Sequence, residues 1–233
     1  MRAPVILLTC DTREDVGQQT ETLLHLRANY AAAIHAAGGL PLILPPEPEA
    51  LPDALALCHG VLLTGSDAGA IVPTRRAAFE QALIEQAIRR RLPILGICHG
   101  MQMLGQALGG AIERDDPALL SPSSPHLPRA VPDVLAHDIG LAPGSILGAV
   151  ADGPRTMVNS LHRHRLVGTG RYVVTAKASD GVIEGIESDT TPFCVGVQWH
   201  PEYRLTRTDS RLLCAFVAAA THHQDTTQQK DLS

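Results

Sequence analysis

The segment Gly96-Ile97-Cys98-His99-Gly100 sets one cysteine between two glycines, where an apolar run meets a helix-like pattern. A free cysteine is most often a small buried hydrophobe. Here the flanking glycines also permit the sharp strand-to-helix turn that holds a nucleophile out of the chain. At the start of the following helix, the dipole and unpaired N–H groups favour a thiolate. The N–H of His99 can then face a developing oxyanion.

A nucleophilic thiol needs a base, and the base needs an orienting acid. The run VGVQWHPEY (195–203) supplies both: an apolar strand ends at His200, Pro201 stops its pairing, and Glu202 follows. On an extended segment residues i and i+2 face the same side. Glu202 can therefore hold one imidazole nitrogen while the other faces Cys98. A second oxyanion donor should come from a neighbouring strand end. In LLTGSD (62–67), Gly65 allows an unusual backbone and Ser66 is the expected N–H donor; the residues alone fit an ordinary Gly-Ser turn equally well.

Apolar runs and helical patterns alternate in the order such a site requires. PVILLT (4–9) reads as a buried strand, and PLILP (41–45), GVLLTG (60–65) and LPILGIC (92–98) as the strands that follow it. Leu23, Leu26, Tyr30, Ile34 and Ala37 recur at helical spacing up to Gly38-Gly39, a helix stop. A short helix is expected over ALPDALALC, and another carries Phe79, Leu83, Ile84, Ala87 and Ile88. This order predicts an α/β fold: a central, mostly parallel, flavodoxin-like sheet with helices on both faces. Its active site should lie at the carboxyl ends of the strands, where Cys98 falls.

The stretch from Asp115 to about Pro132, rich in Pro and Ser, reads as a long, mobile surface loop. Beyond it, TMVNSLH, RYVVTAKASD, GVIEGIES and FCVGVQWH are short β-like runs, expected to add antiparallel hairpins and a last central strand. A helix from about Ser210 to Ala220 closes the pattern. Residues 1–221 are thus expected to form one domain and 222–233 a disordered tail.

Composition narrows the function classes. The 233 residues are 45% hydrophobic, enough for a sizeable core, and no apolar run reaches the length of a membrane span. A net charge of −5 argues against nucleic acid as a partner. Arg75, Arg76, Arg89, Arg90 and Arg91 bracket an apolar stripe and read as a solvated helix face. Five scattered cysteines without a CxxC argue against a disulfide framework and for a reducing cytoplasm. Eleven histidines raise the question of a metal. His162 and His164 could share a strand face and Cys58 adjoins His59, but no third ligand stands at a metal-like spacing. No metal or other cofactor is expected.

Together these motifs resemble the class I glutamine amidotransferase-like family of cysteine hydrolases, and within it the gamma-glutamyl-gamma-aminobutyrate hydrolase branch. The likeness runs from about Val5 to Ala220. It includes YAAAIHAAGGLPLILP, the helix leading into LPILGICHGMQMLGQALGG, AHDIGLAPGSIL, VNSLHRHRL, DGVIEGIES and VGVQWHPEY. It implies attack of Cys98 on a gamma-glutamyl amide, with His200 moving protons, Glu202 orienting it, and a glutamyl-thioester intermediate. It also implies that Gly65, Gln102, Ser160 and His162 line the substrate pocket, and that the activity belongs to the breakdown of polyamine-derived conjugates. A homodimer is compatible with it. The second reading is a glutaminase subunit delivering ammonia to a separate synthetase partner. Three departures stand out: a short stretch between Ser66 and Phe79, His164 where glutamine is usual, and His99 where arginine is frequent.

Overall fold

The computed structural model describes residues 2–16, 20–66, 74–121, 124–127 and 131–231. Its strands are β1 (Val5–Thr9), β2 (Asp11–Val16), β3 (Thr20–His25), β4 (Leu40–Leu44), β5 (Gly60–Leu63), β6 (Ile94–Ile97) and β7 (Ala111–Glu113), followed by β8 (His137–Leu141), β9 (Arg155–Val158), β10 (Arg165–Val167), β11 (Val173–Ala178), β12 (Ile183–Glu187) and β13 (Cys194–Val197). The helices are α1 (Ala28–Ala36), α2 (Leu51–Leu57), α3 (Thr74–Arg89), α4 (His99–Ala107), α5 (Ile146–Val150) and α6 (Arg207–Asp231).

Nine strands form one sheet in the order β4-β1-β5-β6-β13-β12-β11-β8-β9. The β4-to-β13 half is parallel and the rest antiparallel. The α/β expectation holds, with added antiparallel strands in the second half and β13 at the centre. Alternate residues of the parallel strands serve opposite faces, as the strand period demands. Ile6, Leu8, Leu62, Leu95 and Ile97 pack with Ile34 of α1 and Leu212 and Phe216 of α6. Leu7, Val61, Leu63 and Ile94 pack with Leu55, Leu83, Met101 and Leu104 of α2, α3 and α4. Two such faces explain why β5, β6 and β13 are buried at every position.

Several expectations need correction. The first helix begins at Ala28, not near Leu23. Leu23 instead lies in β3, which pairs with β2 as an antiparallel hairpin and leaves Leu23 and Leu24 about half exposed. The spacing of Leu23 and Leu26 was compatible with a helix, but only Leu26, beyond the hairpin, packs against the core. The Asp115–Pro132 stretch is not simply a surface loop, because Asp116, Leu119 and His126 are buried. Arg76 is not on a solvated face; it is 1% exposed, drawn inward by carboxylates. The last helix runs to Asp231, through most of the residues expected to be a disordered tail. Residues 67–73 of the short stretch after Ser66 lie outside those described.

Candidate active site

Parallel pairing of β6 with β13 sets Ile97 opposite Val197, so the residues that follow each strand emerge together. The Cys98 N–H donates to the Val197 carbonyl at 2.8 Å, and the Cys98 carbonyl accepts the Gln102 N–H at 3.1 Å to begin α4. Cys98 itself sits at φ 53°, ψ −108°, a conformation rare for a residue with a side chain. Such strain costs roughly 1–3 kcal/mol and persists where the surroundings over-determine it. Those surroundings are tight: a Cβ at Gly100 would stand 2.1 Å from the Leu63 carbonyl oxygen of β5. The elbow expected from the sequence is present.

His200 is fixed by its backbone and by its ring. Asn159 accepts the His200 N–H at 2.9 Å through Oδ1 and donates through Nδ2 to the His200 carbonyl at 3.0 Å. The imidazole Nδ1–H donates to Glu202 Oε1 at 2.8 Å, with both residues buried. Nε2 is buried with no hydrogen-bond partner among the described residues. Gly65 measures how close His200 and Cys98 are. A Cβ there would lie 3.2 Å from His200 Cε1, 3.5 Å from Cys98 Cβ and 2.5 Å from Tyr30 Oη. Burial opposes a charge on His200, but Glu202 and then Cys98 lift its pKa well above the ordinary imidazole value. Tyr30 accepts the Gly65 N–H at 3.0 Å. Its phenol is raised by burial and then by Glu202.

The His99 side chain turns the other way. Its Nε2–H donates to Glu80 Oε2 at 2.8 Å, and Glu80 Oε1 takes Arg76 Nε at 2.9 Å. Arg76 also binds Asp11 and, at 3.0 Å, the Thr64 carbonyl. Burial would raise the Glu80 pKa; Arg76 and then His99 outweigh it and hold it at about 2. His99 is the first residue of α4, so its main-chain N–H belongs to the turn that lacks intrahelical acceptors. Gly65, Ser66, Tyr30, Leu161, His200 and Tyr203 line a small pocket at this end of the sheet, with Asp11 and Arg27.

Other residues singled out in the sequence are buried but engaged elsewhere. Gln102 donates to the His164 carbonyl and to Gln198 Oε1, both at 3.1 Å. Ser160 Oγ donates to the His126 carbonyl at 2.9 Å. His162 points away from the pocket, and Leu161 between them faces it, its carbonyl oxygen 3.9 Å from Cys98 Sγ. His164 Nδ1 accepts the Asp115 N–H at 2.8 Å. Sequence reasoning missed Asn159 and Tyr30, whose partners are distant in the chain. It also missed a gathering of metal-type ligands: His126, His137 and Glu184, all buried, with donor atoms within 4.8 Å of one another. These three come from segments too far apart in the chain to show a metal-like spacing.

A strained cysteine thus stands at the end of one central strand, beside a histidine–glutamate pair at the end of the next. The family model of Peptidase C26 matches residues 4–202. The chain belongs to that family of class I glutamine amidotransferase-like enzymes. It is 34% identical over 247 residues to gamma-glutamyl-gamma-aminobutyrate hydrolase of Escherichia coli O157:H7, covering 96% of each chain. It is 33% identical, with the same coverage, to gamma-glutamyl-gamma-aminobutyrate hydrolase PuuD of Escherichia coli strain K12. The fold also matches the glutaminase domain of Trypanosoma brucei CTPS, with a TM-score of 0.67, 17% identity and 94% of each chain covered. No helix among the described residues is long and apolar enough to cross a membrane.

Proposed function

We propose that this chain hydrolyses gamma-glutamyl amides through Cys98, His200 and Glu202. The supporting observation is the His200 ring: Glu202 occupies Nδ1, while Nε2 stays unpartnered next to a cysteine held at positive φ. The Cys98 sulfur attacks the amide carbon, and the carbonyl electrons move onto oxygen, where the N–H groups of Ser66 and His99 receive the negative charge. The C–N bond then breaks, and the His200 imidazolium passes its proton to the departing amine. Water attacks the resulting glutamyl thioester, giving its proton back to His200. The C–S bond breaks and glutamate leaves. Glu202 orients the ring and stabilises its charged form throughout.

The leaving amine is proposed from the relatives, whose name specifies gamma-glutamyl-gamma-aminobutyrate. Glutamate release from that compound and from glutamine, measured side by side on the chain alone, tests the reading. Fast cleavage of the conjugate and slow cleavage of glutamine is expected. Preference for glutamine would move the assignment to a glutaminase that serves a synthetase partner. Absence of release from any gamma-glutamyl amide would overturn it.

A further inference from the structure

Behind the 159–164 segment, on the side away from Cys98, lies a second buried group that the proposed reaction does not use. His126 Nδ1 and His162 Nε2 are 3.1 Å apart. Glu184 Oε1 lies 3.3 Å from His126 Nδ1, 3.5 Å from His162 Nε2 and 3.7 Å from His137 Nε2. Glu184 is fully buried, yet neither of its carboxylate oxygens has a hydrogen-bond partner among the described residues; nor does His137 Nε2. The nitrogens are near the carboxylate but out of line for hydrogen bonds. A buried carboxylate in that state is costly.

The outer nitrogens explain what the inner ones are. His126 Nε2–H donates to Asp180 Oδ2 at 2.9 Å, and His162 Nδ1–H donates to the His164 carbonyl at 3.0 Å. In the neutral rings these bonds leave His126 Nδ1 and His162 Nε2 as bare lone pairs facing each other. Two lone pairs at that distance repel unless something positive lies between them. Metal-bound histidines are oriented in this manner, by a carboxylate or carbonyl on the far nitrogen. The spacing fits as well: a tetrahedral zinc with bonds of about 2.0–2.1 Å has donor–donor edges of about 3.3–3.4 Å. These four separations, 3.1–3.7 Å, bracket that value; the donors of His126, His137 and Glu184 already lie within 4.8 Å of one another, and His162 must draw towards His137 as an ion binds.

We propose that His126, His137 and Glu184 bind one divalent transition-metal ion, zinc by its coordination preference, and that His162, whose Nε2 lies 3.5 Å from Glu184 Oε1, closes on it as the fourth ligand. Four protein ligands in a buried setting make this a closed, structural site rather than a catalytic one. The ion would tie the His126 segment, the start of β8, the 159–164 segment and β12 together. The last but one of these carries Leu161 into the pocket beside Cys98, so the site would hold one wall of the pocket in place.

Tag-free protein, stripped with a chelator and dialysed, is titrated with Zn²⁺ in competition with a chromophoric chelator. One equivalent per chain is expected, together with a higher thermal midpoint. The Cys98→Ala chain should keep both, which separates this site from the catalytic thiol. Asp180 is half exposed, so Asp180→Asn should fold normally while binding zinc about 10–100-fold more weakly. Glu184→Gln should lose the equivalent. Failure of stripped wild type to bind stoichiometric zinc would overturn the site. So would loss of binding on Cys98→Ala, or wild-type affinity in Asp180→Asn. A zinc-insensitive imidazolium in this cluster by nitrogen NMR would assign the gap to a proton instead.

Discussion

Two histidine–glutamate pairs flank Cys98, each buried and each closed at 2.8 Å: His200 with Glu202, and His99 with Glu80. What else touches the carboxylate separates them. Glu80 gives its other oxygen to Arg76, whose guanidinium also reaches Asp11 and Thr64. Its charge is answered within a network joining α3, α4, the start of β2 and the end of β5. The other oxygen of Glu202 has no hydrogen-bond partner among the described residues. The field of Glu202 therefore acts on His200, whose far nitrogen is left free beside the thiol. The same two residue types thus make a strut in one place and, in the proposed reaction, a proton carrier in the other.

Removing the sulfur breaks the comparison at its centre. Cys98→Ala should lower the rate more than about 10⁴-fold. The fold should survive, since the sulfur's contact with the Leu161 carbonyl is a long one, at 3.9 Å; a circular-dichroism melt alongside the assay checks both, and residual turnover within a hundredfold of wild type would remove Cys98 from the role. Glu80→Gln comes next and should act on stability. Its pKa falls from 4.5 to about 2 on folding, equivalent to about 3 kcal/mol. A group depressed in this way stabilises above its unfolded value and loses that contribution as pH drops from about 4.5 towards 2. Urea denaturation at pH 7 should show the variant weaker by that amount, and at pH 3 the gap should shrink. Its rate at pH 7, measured while folded, should stay within about threefold. A large rate loss without a stability loss would make His99–Glu80 part of the chemistry.

The geometry of the proposed catalytic residues was legible because they are local. A five-residue run carries the elbow, and a three-residue run carries His200 and Glu202, so strand period and turn chemistry suffice to orient them. The inner parallel strands were legible as unbroken apolar runs, which two-sided burial explains, whereas β4 is an apolar run that stays largely exposed at the sheet edge. Other features depend on partners far along the chain. Asn159 clamps His200 from the end of β9, Tyr30 meets Gly65 from α1, and Arg76 is pulled inside by Asp11 as well as Glu80. The His126, His137, His162 and Glu184 group draws one ligand from each of four segments, so no spacing could announce it. The β2–β3 hairpin escaped notice for a different reason: Leu23 stands at helical spacing from Leu26, which packs against the core, and so imitates a stripe although it is itself about half exposed.

Glu202→Gln sharpens the contrast with Glu80→Gln. It should cost about 10²-fold in rate and also shift the pH profile. Glu202 is the larger of the two influences lifting the His200 pKa against burial. Without it the imidazolium gives up its proton at lower pH, and the proton needed by the leaving amine goes with it. The alkaline limb of kcat/KM should therefore move towards acid in Glu202→Gln and stay in place in Glu80→Gln. Equal limbs in the two variants would mean that both pairs do the same work.

The smallest effect concerns how the proton carrier is held. A methyl at Gly65 would stand 2.5 Å from Tyr30 Oη but 3.2 Å from His200 Cε1. The phenol is the harder clash, so Gly65→Ala should first push Tyr30 away. Crowding of this size costs about 1–3 kcal/mol, and a drop in kcat/KM of about tenfold is expected. Tyr30→Phe removes the oxygen that the methyl meets, so the double variant should recover most of the loss. If it is no faster than Gly65→Ala alone, the methyl is displacing His200 itself, and Gly65 sets the catalytic ring directly rather than through Tyr30.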